Sequence, residues 1–240
     1  MTTLAVHHRA TLASRVLAMV RLQLTVYPFL VVLPIIVVWA SFVITRLSVI
    51  GVQEPNVRVG GLMSIFLVQL GLAAVGGYQS FGHAVGLNVT RRAFYLASLL
   101  TGALESVLYG LMLYLAGILE RATDGWGAHL RFFDPTPVTS STSPVTVLVY
   151  TVPLLFMTVV GLFLGALVKR LGPRNFILVS VAAALVLGLV AALITYLDGW
   201  GPIVGWLARQ SPLAIFTGWL LVPTALAGAG GWLVLRRAVP

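Results

Sequence analysis

One acidic residue, Glu105, falls inside a long apolar stretch, whereas Glu54, Glu120, Asp124, Asp134 and Asp198 lie between such stretches. A carboxylate surrounded by hydrocarbon is costly unless it is protonated, paired or facing water, so an isolated intramembrane acid points to a pathway or a substrate contact. The plainer reading of the same residue is a structural group held by hydrogen bonds. Gln69, Tyr78, Gln79 and His83 on the preceding apolar stretch are its candidate partners. Glu105, Gln69 and Tyr78 together make the candidate substrate pathway. A second candidate is the pair of adjacent arginines, Arg91 and Arg92, in a short basic segment between two apolar stretches. Arginine is suited to bidentate recognition of carboxylates on a protein partner. The plainer reading of Arg91 and Arg92 is that they only fix topology.

Other chemistries are absent. The chain has no cysteine, so thiolate metal ligands, thiol nucleophiles and disulfides are excluded. Its four histidines, His7, His8, His83 and His129, are scattered and assemble no metal set. There is no phosphate-binding Gly-x-x-x-x-Gly-Lys-Ser/Thr loop, no His-Glu-x-x-His zinc motif and no Gly-x-Ser nucleophile turn. The expectation is a non-enzyme with no catalytic residues, no metal and no cofactor of its own.

What positions these residues is a membrane. Of 240 residues 59% are hydrophobic and 9% charged, against about 25% charged in soluble domains, and mean hydropathy is +1.02. Six stretches, near 24–45, 61–83, 95–119, 145–168, 176–197 and 213–235, are each long enough to cross a bilayer as a helix. The first exceeds the apolar core of a cleavable signal and is expected to remain as a helix. Residues 1–23 precede it. If helical from residue 9, they group Leu12, Val16, Met19 and Val20 on one face, with Arg21 opposite and Arg15 on the flank. That pattern predicts an amphipathic helix in the membrane interface. The predicted fold is therefore all-α: a 1–23 N-terminal segment and a 24–240 six-helix transmembrane domain.

Orientation follows from the cations. Segments 1–23, 84–94, 169–175 and 236–240 carry Arg9, Arg15, Arg21, Arg91, Arg92, Lys169, Arg170, Arg174, Arg236 and Arg237, with no acid. The opposite side carries Arg46, Arg58, Arg121, Arg131 and Arg209 among all five loop acids. The positive-inside rule puts both termini in the cytoplasm. The net charge of +9 is thus topological, and nucleic acid is not an expected partner. Asn88-Val89-Thr90 matches a glycosylation acceptor but falls on the cytoplasmic side, so it is read as a chance match.

Finer features refine the layout. Gly161 and Gly165, Gly71, Gly76 and Gly77, and the Ala225–Gly231 run predict close helix packing. Pro28, Pro34, Pro153 and Pro223 are expected to kink their spans. In the long loop 120–144, Trp126, Phe132 and Phe133 are expected at headgroup level, and Asp134 to Pro144 as a loose tract. The loop Asp198–Pro212, with Trp200, Trp206 and Arg209, is expected to be re-entrant or interfacial. No internal repeat argues for an inverted-repeat transporter.

This layout resembles the small type-2 ABC-transporter permeases of bacteria. The local resemblance is best at Gly86-Leu87-Asn88-Val89-Thr90-Arg91-Arg92-Ala93-Phe94-Tyr95, since such permeases commonly carry a Gly, a Thr/Ser-Arg-Arg and an aromatic pair leading into the third span. This chain departs from many relatives in having no acidic residue just before Gly86. The resemblance implies that Gly86, Leu87, Asn88, Val89, Thr90, Arg91 and Arg92 form the helix that docks into a separate ATPase subunit. It further implies ATP and Mg on that partner, a second transmembrane subunit (itself or a sibling), export as the direction and a bacterial plasma membrane. Two rival readings stay open: a stand-alone secondary transporter, and a non-transport membrane protein of the immunity or assembly kind.

Overall fold

A computed structural model describes residues 11–26, 28–50, 57–58, 60–86, 89–134, 145–211 and 213–237. The architecture is all-α, and six of its helices are long and apolar enough to cross a membrane. In chain order the helices are α1 (Leu12–Val26), α2 (Pro28–Ser48), α3 (Met63–Gly86), α4 (Arg91–Ala122), α5 (Thr146–Leu171), α6 (Pro173–Tyr196), α7 (Trp200–Ala208) and α8 (Leu220–Leu235). A 3₁₀ turn leads into α3 and a π-helical turn, Ala214–Trp219, into α8. The only strand pairing among the described residues joins β1 (Val57–Arg58) in parallel to β2 (Leu130–Arg131).

Boundaries follow local chemistry. Residues 24–26 belong to α1 rather than to the first span, because Pro28 opens α2. Proline fits the first helical position, where no N–H is needed, and it biases the residue before it away from helix. Pro28 is therefore a start and not a kink; Pro34, Pro153 and Pro223 do lie inside helices. Helix α4 runs 32 residues, about 48 Å at 1.5 Å per residue, well beyond the stretch 95–119. Thr90 sets its start, its Oγ1 accepting from the Ala93 N–H at 3.3 Å. At the other end α4 continues through Glu120, which sequence reading assigned to a loop.

Helix α5 is the hub, packed against α3, α4 and α8. Its crossing with α3 depends on Gly161 and Gly165: a Cβ on Gly161 would lie 2.5 Å from the Leu70 carbonyl oxygen, and one on Gly165 would collide with that of Ala74. Small residues at this spacing let two backbones approach closely in lipid. On the α4 side, Gly102 and Gly110 face Thr158 and Thr151. Helix α1 places Met19 and Val20 in a buried cluster with Phe81, Phe94 and Tyr95, while Arg15 and Arg21 stay exposed. Of the face read from the sequence, Val16, Met19 and Val20 dock onto the bundle, whereas Leu12 is exposed.

Helices α6 and α7 bury no residue. An element apolar on every side, as α6 is over residues 173–196 with mean hydropathy 2.9, suits lipid or another protein around it. Helix α7 fills part of the loop 198–212, and Trp206 meets Trp219 edge-on at 5.2 Å.

Candidate functional site

Helix periodicity aligns Ser98, Thr101, Gly102, Glu105, Ser106 and Tyr109 along one stripe of α4. Ser98, Thr101, Ser106 and Tyr109 are buried in the bundle. The inward face of this long apolar helix is thus polar over three turns. Facing it are Gln69 from α3, Thr158 from α5 and Gln23 from α1, and between them lies a cavity of about 160 Å³. Leu72, Val75 and Leu162 supply its apolar walls.

The hydrogen bonds in the cavity are directional. The Thr158 hydroxyl donates to the Leu154 carbonyl at 3.0 Å, so its oxygen is left as an acceptor. Gln69 Nε2 donates to that oxygen at 3.0 Å and to Glu105 Oε2 at 3.2 Å. With two acceptors on one side, the Gln69 amide must turn its NH₂ toward them. Its Oε1 then has no partner, although the residue is only 2% exposed. On the α1 side, Thr101 Oγ1 donates to Gln23 Oε1 at 2.8 Å and Gln23 Nε2 donates to Ser98 Oγ at 3.0 Å. Among the described residues no arginine, lysine or histidine forms an ion pair with Glu105.

Of the pathway residues expected from sequence, Glu105 and Gln69 meet and Tyr78 does not join them. Tyr78 is on the outside of α3, with Lys169 Nζ over its ring at 5.7 Å from the centroid. Gln79 lines the cavity, and the side chain of His83 is outside the described residues. Gln23, Ser98, Thr101 and Thr158 were not anticipated. The spacing of Ser98, Thr101 and Glu105 at i, i+3 and i+7 was a readable signal for the α4 members; the partners from α1 and α5 leave none, because only tertiary packing brings them there.

At the Thr90 end, Gly86 is exposed, and Leu87 and Asn88 lie outside the described residues. The Val89 N–H bonds the Ala84 carbonyl at 3.0 Å, and Thr90 caps α4. The two arginines differ. Arg91 Nη1 donates to the Arg236 carbonyl at 2.8 Å, tying α4 to the end of α8, whereas Arg92 is exposed. Tyr95 adds a second tie through its hydroxyl to the Gly228 carbonyl at 2.6 Å.

At the far end of α4 sits a polar site that sequence reading missed. Glu120 is fully buried, and its carboxylate accepts the backbone N–H groups of Phe132 at 2.9 Å and of Phe133 and Asp134 at 3.0 Å. Arg121 pairs with Asp134 at 3.0 Å. Glu120 and Asp134 are thus buried carboxylates that sequence reading, which recognised only Glu105, assigned to a loop. The chain reaches the carboxylate through a run of left-handed residues from Asp124 to Gly127, and Gly125 is required there because a Cβ would strike the Leu130 backbone. Phe132 and Phe133 therefore face into the bundle. They are fully buried, Phe133 at 5.3 Å from both Trp39 and Phe42, with Trp126 packed alongside at 5.2 Å from Phe42.

No protein-family model, characterised protein or solved structure matches this chain. The chemistry available is hence what the geometry offers: a satisfied carboxylate that clamps a loop, and an under-satisfied one that opens on a polar cavity. Among the described residues no group of three acidic or histidine side chains is placed to hold a metal ion.

Proposed function

We propose that this chain is the transmembrane permease subunit of an ATP-driven ABC export system, forming the substrate path and working with a separate ATPase. The observation that carries the permease reading is the cavity: within a chain of six membrane-length helices, three of them, α3, α4 and α5, together with α1 line a site with polar groups midway along α4, where lining a solute path offsets the cost of polar groups in lipid. The ATP-driven part rests on the resemblance at Gly86–Tyr95. It is supported by a capped helix start that presents Arg92 outward while Arg91 and Tyr95 brace it against α8. The bare faces of α6 suit a second transmembrane subunit, itself or a sibling. The positive-inside distribution favours both termini in the cytoplasm, and a bacterial plasma membrane rests on the resemblance.

The test is co-expression with a candidate ATPase, purification through a tag on this chain and measurement of ATP hydrolysis in the complex. Arg92→Ala is expected to abolish most of the transport-linked hydrolysis while insertion and yield stay normal. Arg91→Ala,Arg92→Ala should add a loss of stability, because Arg91 also ties α4 to α8. Full transport in the double variant sinks the coupling assignment. A second reading, the stand-alone secondary transporter, is favoured by one observation, the unpaired Glu105 in the cavity. It predicts substrate uptake into vesicles containing this chain alone, driven by an ion gradient.

A further inference from the structure

We infer that the cavity between α1, α3, α4 and α5 is a binding site for monovalent organic cations, with Glu105 as the charge partner and Leu72, Val75 and Leu162 as the seat for the apolar body. The inference rests on the permease reading only for its biological meaning; the site itself is argued from the cavity.

Three observations narrow the ligand. The first is charge. Glu105 faces no cationic side chain among the described residues, and its neighbours Gln69, Thr101, Ser98 and Gln23 are neutral. In a low-dielectric surround an unpaired carboxylate favours a positive ligand and repels an anionic one. One carboxylate neutralises one charge. A divalent ion wants six to eight oxygen ligands for calcium or near-octahedral ones for magnesium, and the described residues assemble no such set.

The second observation is the hydrogen-bonding pattern. One Glu105 oxygen, Oε2, already accepts from Gln69, and the buried Gln69 Oε1 has no donor. The amide is locked by Thr158 in the orientation that presents its N–H to the carboxylate. Gln69 thereby fixes the orientation of the Glu105 carboxyl group and acts as a positioning residue. The second carboxylate oxygen accepts from no donor among the described residues and is free to face an ammonium group.

The third is size and wall chemistry. A volume of about 160 Å³ is room for roughly 11–16 waters by the measure in which one water needs about 10–15 Å³, so a bare metal ion would rattle. Leucine and valine walls exchange water for alkyl or aryl groups at a gain of about 25 cal/mol per Å² buried. Charge and walls together select an alkylated ammonium carrying an apolar substituent.

The test uses the full chain in phosphatidylcholine nanodiscs without any ATPase, with radiolabelled benzyltrimethylammonium as the probe and empty discs as background. Wild type is expected to show one saturable site per chain. Neopentylbenzene, the neutral carbon isostere, should fail to displace the probe at equal free concentration. Glu105→Gln, which keeps the acceptor for Gln69 Nε2, should weaken binding at least tenfold, and Glu105→Asp should restore part of it. Displacement by neopentylbenzene, absence of saturable binding, or equal binding by Glu105→Gln each overturns the proposal. The isostere comparison is made on wild type, so it holds whether or not a variant folds. If cation binding fails while an ATPase still co-purifies, the substrate class is wrong and the permease reading stands. If binding holds and no ATPase associates, the site stands and the ATP-driven reading falls.

Discussion

Two carboxylates on one helix, Glu105 and Glu120, are treated in opposite ways. They are fifteen residues apart on α4, about 22 Å along the axis. Glu120 is fully buried and takes three backbone N–H donors, with aromatic rings closing over it. Glu105 takes one amide donor and borders a cavity. A buried charge that is fully hydrogen-bonded organises structure, because its loss strands the donors aimed at it. A carboxyl group left with open acceptor capacity beside a cavity has room for a partner that is not part of the chain. Local chemistry in the two regions, rather than burial alone, separates the acid that clamps a loop from the acid proposed to meet a ligand.

The largest effect should come from the clamp. Glu120→Ala leaves three buried N–H groups without an acceptor, at about 1–3 kcal/mol each, so a loss of at least about 3 kcal/mol is expected. Glu105→Gln should cost no more than about 1 kcal/mol, since the amide still accepts from Gln69. Denaturant titration of both variants in nanodiscs checks this, with Trp126 emission reporting the clamp. Equal losses would erase the distinction between the two acids.

The next effect tests what places an amide against Glu105. The α3–α5 crossing at Gly161 brings Thr158 beside Gln69, and a methyl group there meets the Leu70 carbonyl and the Ala73 side chain at 2.5 and 2.6 Å. Gly161→Ala is expected to destabilise by about 1–3 kcal/mol through overpacking and to weaken benzyltrimethylammonium binding, with Trp126 emission unchanged. Gly71→Ala is the control: no atom lies within 4 Å of its Cβ position, and the change should be neutral or favourable by up to about 1 kcal/mol. A shift in Trp126 emission with Gly161→Ala would mean that the two ends of α4 are not independent.

The same contrast explains what was legible in the sequence. Hydropathy finds the six membrane-length helices because length and apolarity are local properties of the chain. Glu105 is visible for the same reason: one acid stands out in an apolar run. Gln69 is legible as a polar residue on a neighbouring span, whereas Tyr78, equally polar, faces away; the difference of nine residues sets the face, and no single-helix argument says which face meets α4. Glu120 is invisible as a buried group because its partners are backbone N–H groups twelve to fourteen residues on, and backbone donors carry no residue-type signature. The burial of Phe132 and Phe133 was hidden with it, since their loop is folded into the bundle by the same backbone contacts to Glu120. Pro28 was read as a kink where it is a start, a distinction that depends on where α1 ends.

The smallest effect is the one that decides whether the polar stripe of α4 is scaffold or lining. Thr101 lies one turn before Glu105 and donates to Gln23 Oε1 at 2.8 Å. Thr101→Val keeps the shape and removes that donor. If the stripe only lines a cavity, the loss is that of one interhelical hydrogen bond, about 0.6 kcal/mol in lipid. Combined with Glu120→Ala, some 28 Å away along the helix, the two costs should add to within about 0.5 kcal/mol. A loss above about 2 kcal/mol from Thr101→Val alone would mean that Gln23, Ser98 and Thr101 form a cooperative structural network of the same kind as the Glu120 clamp. Glu105 would then be its last member, and a cation would find its place already taken by the protein. A small additive loss leaves the carboxylate as the one strongly charged group of a lining whose polar neighbours are individually dispensable, which is the arrangement a transient ligand needs in order to bind and leave.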